Sequence, residues 1–174
     1  MRDHVLAAAR ALTIATGVVP SLNAVVAAAG VSKGGLMHHF PTRTDLIVGL
    51  ARMSLHEIDA AMTDAAARGD AAPTWLRLSR PDASERALLQ ALAVSFRSSD
   101  PKSAVLLDEA RSALARWERM IEEEVGDAMR ARVIRLVGDG LVANAIAGVE
   151  PEPVDLVTLS ASLIGPAAAP GRHG

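Results

Sequence analysis

The chain has 174 residues, half of them hydrophobic, no cysteine and a formal net charge of −2. Without thiols there is no disulfide framework and no thiolate metal site, and charges interrupt every window long enough for a membrane span. No basic, apolar and small-residue leader opens the sequence, so the expectation is a soluble intracellular protein of the cytoplasm.

Phe40, Trp75, Phe96 and Trp117 are the only residues of the Phe, Trp and Tyr types, so the core has to be aliphatic. Charge is unevenly spread. Residues 1–50 carry Arg2, Arg10, Lys33 and Arg43 against Asp3 and Asp45, a balance of +2, which leaves −4 for the remainder. His4, His38 and His39 lie in the same segment. A mildly basic head on an acidic body suits a protein that meets phosphate at one end only.

In chain order, Val5, Leu6, Ala9 and Leu12 give helical spacing over 3–16, which Gly17 ends. The extended Val18, Val19 and Pro20 follow. Ser21 is a good N-cap for a helix over 22–29 that packs through Leu22, Val25 and Ala29. Gly30 is the natural left-handed residue to close it, and Val31 plugs the angle behind it. Ser32 caps a third helix over 33–39, stopped by Pro41. Thr42 caps a fourth, with Asp45 in the capping-box position. Two short helices around a tight turn at Gly30 are a helix-turn-helix, which puts a helix into the major groove of DNA.

The fourth helix, over 43–67, carries a stripe of Leu46, Ile47, Leu50, Met53, Leu55, Ile58, Ala61 and Met62. Residues 69–73 read as a linker, and Thr74 as the cap of a short helix with Trp75, Leu76 and Leu78. Asp82 or Ser84 starts the next, running through Leu88, Leu89, Leu92, Val94 and Phe96. Residues 98–101 break it, with Pro101 suited to the first helical position. Leu107, Ala110, Leu114, Trp117, Ile121 and Val125 make 102–125 amphipathic. A helix over 127–147, a Pro-rich connector over 150–153 and a last apolar helix over 154–164 complete the pattern. No run has strand periodicity. The expected fold is all-α: a three-helix helix-turn-helix domain over 1–46, a helical ligand-binding and dimerisation domain over 47–164, and a disordered tail over 165–174.

Several head residues have chemistry suited to DNA. Lys33 can reach a phosphate or a guanine edge. Gly34 and Gly35 are poor helix formers. Absent side chains let a helix sit close to a DNA backbone, a reading that favours Gly34 over Gly35; the alternative is a frayed first turn. His38 and His39 point in different directions, so one can donate to phosphate while the other packs inward. A metal site is weak there, for want of further ligands. Thr42 and Arg43 start a helix whose free N–H groups and cation could clamp a phosphate, or simply form a capped end with a solvated Arg.

Residues 5–46 resemble the N-terminal DNA-binding domain of the TetR family of bacterial repressors. The resemblance is densest from Ala29 through Val31, Ser32, Lys33, Gly34, Gly35, Leu36, His38, His39, Phe40 and Pro41 to Arg43, and Val5 to Leu12 with Gly17 fit the family's first helix. It covers about a quarter of the chain. It implies a dimer, a palindromic double-stranded operator and an effector cavity in the body. It also places Ser21, Ser32, Lys33, Gly34, His38, His39 and Arg43 in or beside the DNA-contacting surface; Gly35 and Thr42 join that set. Three positions depart from the family pattern. Met37 stands where the family usually has Tyr and loses a hydroxyl for phosphate, Thr13 replaces Phe, and Val26 replaces Ala. Met37→Tyr is therefore expected to tighten operator binding.

In the body, Trp75, Phe96 and Trp117 are aromatic anchors and Met53, Met62, Met120 and Met129 adaptable fillers. Each can pack a core or line a cavity; Met62, Trp75, Phe96, Trp117 and Met120 are the candidate ligand-binding set. Asp108, Arg111 and Asp139 are its notable polar residues. Gly138, Gly140, Ala143, Ala145 and Ala147 permit close helix approach. With Leu156, Val157, Leu159, Leu163 and Ile164 they could form a four-helix bundle with a twofold mate, Asn144 setting register, or close the monomer's own core. Two functions remain in view. One is a ligand-responsive repressor released from DNA by a small, largely apolar effector, with the pendulum motion of the fourth helix that the resemblance implies. The other is an all-α small-molecule carrier whose head no longer reads DNA. No nucleophile elbow, paired histidine–carboxylate motif or phosphate-cradling loop marks an enzyme, and no metal or cofactor is expected.

Overall fold

The computed structural model describes residues 1–96, 100–149 and 156–164. Among them the regular elements are helices: α1 (Arg2–Thr16), α2 (Leu22–Ala29), α3 (Lys33–His39), α4 (Arg43–Ala66), α5 (Ala71–Leu78), α6 (Ala83–Ser95), α7 (Pro101–Val125), α8 (Ala128–Ala147) and α9 (Leu156–Ile164). The expected break at Ser98 and Ser99, the connector over 150–153, the start of the last helix at 154–155 and the tail over 165–174 lie outside the described residues.

Local chemistry sets most helix ends. Gly17 and Gly30 adopt φ of 70° and 63°, the left-handed region, and close α1 and α2. The Ser21 and Ser32 hydroxyls accept from the N–H groups of Ala24 and Gly35. Thr42 and Asp45 form a reciprocal capping box, as do Asp82 and Glu85. Asp100 caps α7, whose first residue is Pro101.

The start of α5 differs from expectation. Asp70 precedes it and Pro73 lies inside its first turn, where the missing N–H breaks no intrahelical bond. The anticipated cap, Thr74, is instead buried within the helix, its hydroxyl donating to Asp70 Oδ2 at 3.2 Å. The Glu124 carboxylate of α7 accepts from Ala72 N–H at 2.9 Å and closes the helix start from outside.

Two apolar clusters build the core. The first joins Val5, Leu6, Val25, Leu36, Phe40, Leu46 and Leu50 to Leu88, Ala91 and Leu92 of α6. The core of the three-helix head thus runs up α4 past residue 46 and onto α6. Thr13 is fully buried in this region, and its hydroxyl donates to Ala9 O at 2.7 Å, so the buried polar atom is satisfied within its own helix. The second cluster gathers Met62, Ala71, Trp75, Leu76, Ala113, Trp117, Ile121, Ala131 and Ile134. Burying each large aliphatic side chain contributes roughly 1.5–3 kcal/mol.

The buried stripe of α7 is Ser103, Leu106, Ala113, Trp117 and Ile121. Leu107, expected inward, is 51% exposed, whereas Leu106 is buried. Packing against α4 selects this phase. Three ion pairs join the two helices: Asp45 with Lys102 at 2.5 Å, Arg52 with Glu109 at 2.5 Å, and Asp59 with Arg116 at 2.7 Å. Partners recur every seven residues on both helices at a constant offset of 57. The helices therefore run parallel in a coiled-coil-like register.

Candidate nucleic-acid interface and effector body

In α3, Leu36 is fully buried under the head. Lys33, Gly34, Met37 and His38 are exposed and cover one contiguous arc of the helix; Gly35 and His39 are half-buried at its edges. Ser21, Ser32, Thr42 and Arg43 are exposed as well. A groove of about 300 Å³ runs between α2 and α3, bordered by Ser21, Asn23, Val26, Lys33 and Met37. Of the expected DNA-facing residues, the groove brings Ser21 and Lys33 together, and it adds Met37 and Asn23; His39 instead borders a separate hollow with Asp45 and Arg52. Met37 entered the sequence reading only as a departure from the family, yet it is 43% exposed, one turn from Lys33.

Some of these side chains also hold the head together. The Arg43 guanidinium donates to Val19 O at 2.7 Å and pins the α1–α2 loop to the start of α4. The Thr42 hydroxyl is engaged with Asp45 at 2.7 Å. Burial pushes the Asp45 carboxyl up, but hydrogen bonds from Lys102 and Thr42 outweigh it and hold it below its ordinary value. The His38 and His39 rings meet edge-on with centroids 5.2 Å apart. His4, not singled out in sequence, donates from Nε2 to Ala29 O at 2.9 Å and satisfies the end of α2.

The two glycines of α3 differ. A Cβ at Gly34 would meet nothing within 4 Å, whereas one at Gly35 would lie 3.1 Å from the Ser32 hydroxyl. Packing within the chain therefore gives a reason for glycine at 35 and none at 34.

In the body, Met62, Trp75, Trp117 and Met120 share the second cluster, while Phe96 ends α6 and packs on the first. The expected ligand-binding set does not converge on one place. The tryptophan rings lie 5.6 Å apart. Trp75 Nε1 donates to Arg135 O at 3.2 Å, and Trp117 Nε1 to Asp59 Oδ1 at 2.8 Å. Both indole donors are satisfied within the chain. Asp108 and Arg111 form an exposed pair at 2.6 Å. Asp139 pairs with Arg135, which also engages Glu118. The α9 residues Leu159, Leu163 and Ile164 pack against the second cluster of their own chain; the side chains of Leu156 and Val157 lie outside the described residues.

A capped helix-turn-helix with an uncovered outer face, carried on a larger helical body, defines a DNA-binding regulator. Comparison with known families makes this specific. The family profile described as bacterial regulatory proteins of the tetR family matches residues 5–50, and that described as the tetracyclin repressor-like C-terminal domain matches residues 69–165. The chain belongs to the TetR family of transcriptional regulators. Its fold is similar to that of a TetR family member from Streptomyces coelicolor A3, with a TM-score of 0.64 and 21% identity over 93% of this chain and 95% of the other. The search of curated proteins found no match. Among the described residues no helix is long and apolar enough to cross a membrane.

Proposed function

We propose that the chain is a homodimeric repressor that binds a palindromic operator and leaves it when a small, largely apolar effector binds the body. The observation that carries this is the exposed arc of Lys33, Gly34, Met37 and His38. A cation, a site of close backbone approach and two further side chains face outward together, flanked by Ser21, Ser32, Thr42 and Arg43. Lys33 and Arg43 would meet phosphate or a guanine edge, and Gly34 would let α3 approach the DNA. Gly35 and His39, at the edge of the arc, play a supporting part.

The α8 helix favours a second copy as partner. Met129, Val133 and Leu136 are 68%, 40% and 51% exposed, and Gly140, Ala143 and Ala147 continue the same stripe. The spacing of four, three, four, three and four residues keeps them on one face, with exposed Asn144 beside them. A self-complementary face of this kind suits a twofold bundle with α9. The two heads would then read half-sites ~34–36 Å apart, or a multiple of that distance. Nothing in this reading requires catalysis.

The test is fluorescence anisotropy with duplex DNA flanking the protein's own gene, across several salt concentrations and with random duplex as competitor. Saturable, salt-dependent binding that resists the competitor supports the repressor. Binding no tighter than to random DNA, for that duplex and for selected random-sequence pools, refutes it. Exposed Met37, in place of a phosphate-reaching tyrosine, favours the second reading, a small-molecule carrier. That reading requires ligand binding without salt-sensitive duplex binding.

A further inference from the structure

Several serines and threonines in or at the ends of these helices share one habit. Thr13, Thr16, Thr63, Ser79, Ser95 and Ser162 each donate to the carbonyl four residues earlier, at 2.7–2.8 Å. Ser54, in the middle of α4, does not. Among the described residues, its Oγ is the buried side-chain oxygen with no hydrogen-bond partner. A buried hydroxyl left unpaired is costly, and such an atom calls for an explanation.

Ser54 lines a cleft of about 120 Å³ where α1, α4 and α6 meet. Ile58, Leu78, Pro81, Leu88 and Leu89 form the apolar part of its wall. The charged groups at its edge already have partners. Arg10 holds Glu57 through contacts of 2.7 and 2.8 Å, and the Glu85 carboxylate accepts from Asp82 N–H at 3.0 Å. The cleft therefore offers an apolar wall with one neutral hydrogen-bonding group behind it: Ser54 Oγ has almost no accessible surface, so an occupant reaches it only when the side chain turns about χ1. Its volume is close to the ~150 Å³ of an apolar cavity that holds a benzene ring.

We propose that this cleft binds a small monocyclic molecule carrying a single hydroxyl or carbonyl group, with the ring against Ile58, Leu78 and Leu89 and the polar group on Ser54 Oγ once that side chain has turned toward the cleft. A charged ligand is disfavoured because both nearby carboxylates are engaged. The site lies between the head's first helix and the body, bordered by the Arg10–Glu57 pair. An occupant therefore touches elements of both. The part of the inference that makes this ligand an effector rests on the repressor reading; the binding site does not.

The experiment uses the full chain without DNA, titrated with phenol and with benzene and followed by amide chemical-shift changes. Phenol is expected to bind about five-fold more tightly than benzene, the worth of one neutral hydrogen bond. Ser54→Ala should bring the two affinities together without loss of folding. Leu89→Phe should weaken both, with an unchanged circular-dichroism spectrum as its control. Absence of saturable phenol binding, shifts centred away from Ser54 and Leu89, or a preference that survives Ser54→Ala would overturn the site. Repeating the anisotropy measurement on a bound operator with phenol present separates the two ideas. Phenol that binds at Ser54 yet leaves operator affinity unchanged refutes its role as effector and leaves the site standing.

Discussion

Gly138 and Gly140 stand two residues apart on α8 and face opposite ways, which makes them a sharp test of the packing. A Cβ at Gly138 would lie 2.5 Å from Ser79 Oγ and 2.6 Å from Trp75 Cε2, and would overlap Trp75 Nε1 as well. Ordinary contacts between such atoms are ~3.5–4.0 Å, so the indole would have to retreat by about 1 Å. It has little room, since Trp117 lies against it at a tilt of 40° and Trp75 is only 5% exposed. Retreat would also stretch the bond from Nε1 to Arg135 O. Overpacking costs ~1–3 kcal/mol and a weakened buried donor about 1 kcal/mol more. The better helix propensity of alanine returns about 1 kcal/mol. Gly138→Ala should therefore lose ~1–3 kcal/mol. At Gly140 a Cβ meets nothing within 4 Å of its own chain, so Gly140→Ala should gain up to ~1 kcal/mol in subunit stability. Urea titrations at fixed protein concentration, read by the fluorescence of Trp75 and Trp117, measure both. A Gly138→Ala protein as stable as the parent would refute the close approach of α8 to Trp75.

Gly34→Ala should keep or slightly raise stability, because the added methyl touches nothing in the chain, yet weaken operator binding by about tenfold if α3 lies against the DNA backbone; unchanged anisotropy would refute the close approach. Leu136→Glu places a charge in the exposed α8 stripe and should shift the protein to monomers in sedimentation without loss of helicity, and a dimer that persists would exclude that face. Asp45, Asp59, Glu109 and Glu118 all titrate below their ordinary values. For Glu109 the hydrogen bond from Arg52 is the leading cause; for the other three, burial raises the value and hydrogen bonds to cations and neighbouring donors overcome it. Because the folded values lie below the unfolded ones, their stabilisation is complete above the ordinary values of 3.8 and 4.5 and drains away as pH falls through the folded values. The urea midpoint should thus change little through these groups from neutrality to about pH 5 and drop below about pH 4; a midpoint level from pH 5 to pH 3 would contradict these pairings.

The head was legible in sequence because its helix ends are local. Ser21, Gly30, Ser32 and Thr42 each act on backbone within four residues of themselves, so reading along the chain finds them. The start of α5 was not legible, since its outside acceptor, Glu124, is 52 residues away. Periodicity could not choose between Leu106 and Leu107 either. Both fit a helical stripe, and the choice fell to whichever phase lets Lys102, Glu109 and Arg116 face α4. Phe96 misled for a related reason: an aromatic in an apolar helix signals burial but not which of two cores receives it. Ser54 carried no signal, because a serine in a helix ordinarily satisfies itself.

One helix links these observations. The first two turns of α4 belong to the head's core through Leu46 and Leu50, one flank is registered on α7 by three ion pairs, and another lines the Ser54 cleft. Partly exposed pairs are worth ~0.2–1 kcal/mol each, so the α4–α7 register resists sliding by about 1–3 kcal/mol. That equals the ~1–3 kcal/mol typical of coupling between an effector and a distant site. A ligand in the cleft could not shift α4 along α7 without giving up most of that energy. The alternative response is movement of α6 and α1 against α4, across the side that carries the Arg10–Glu57 ion pair. Arg10→Gln should then alter the response of operator affinity to a cleft ligand more than Arg52→Gln does, although Arg52 makes the shorter contacts with its partner. The reverse order, measured by anisotropy at matched occupancy, would place the moving joint at α7 instead.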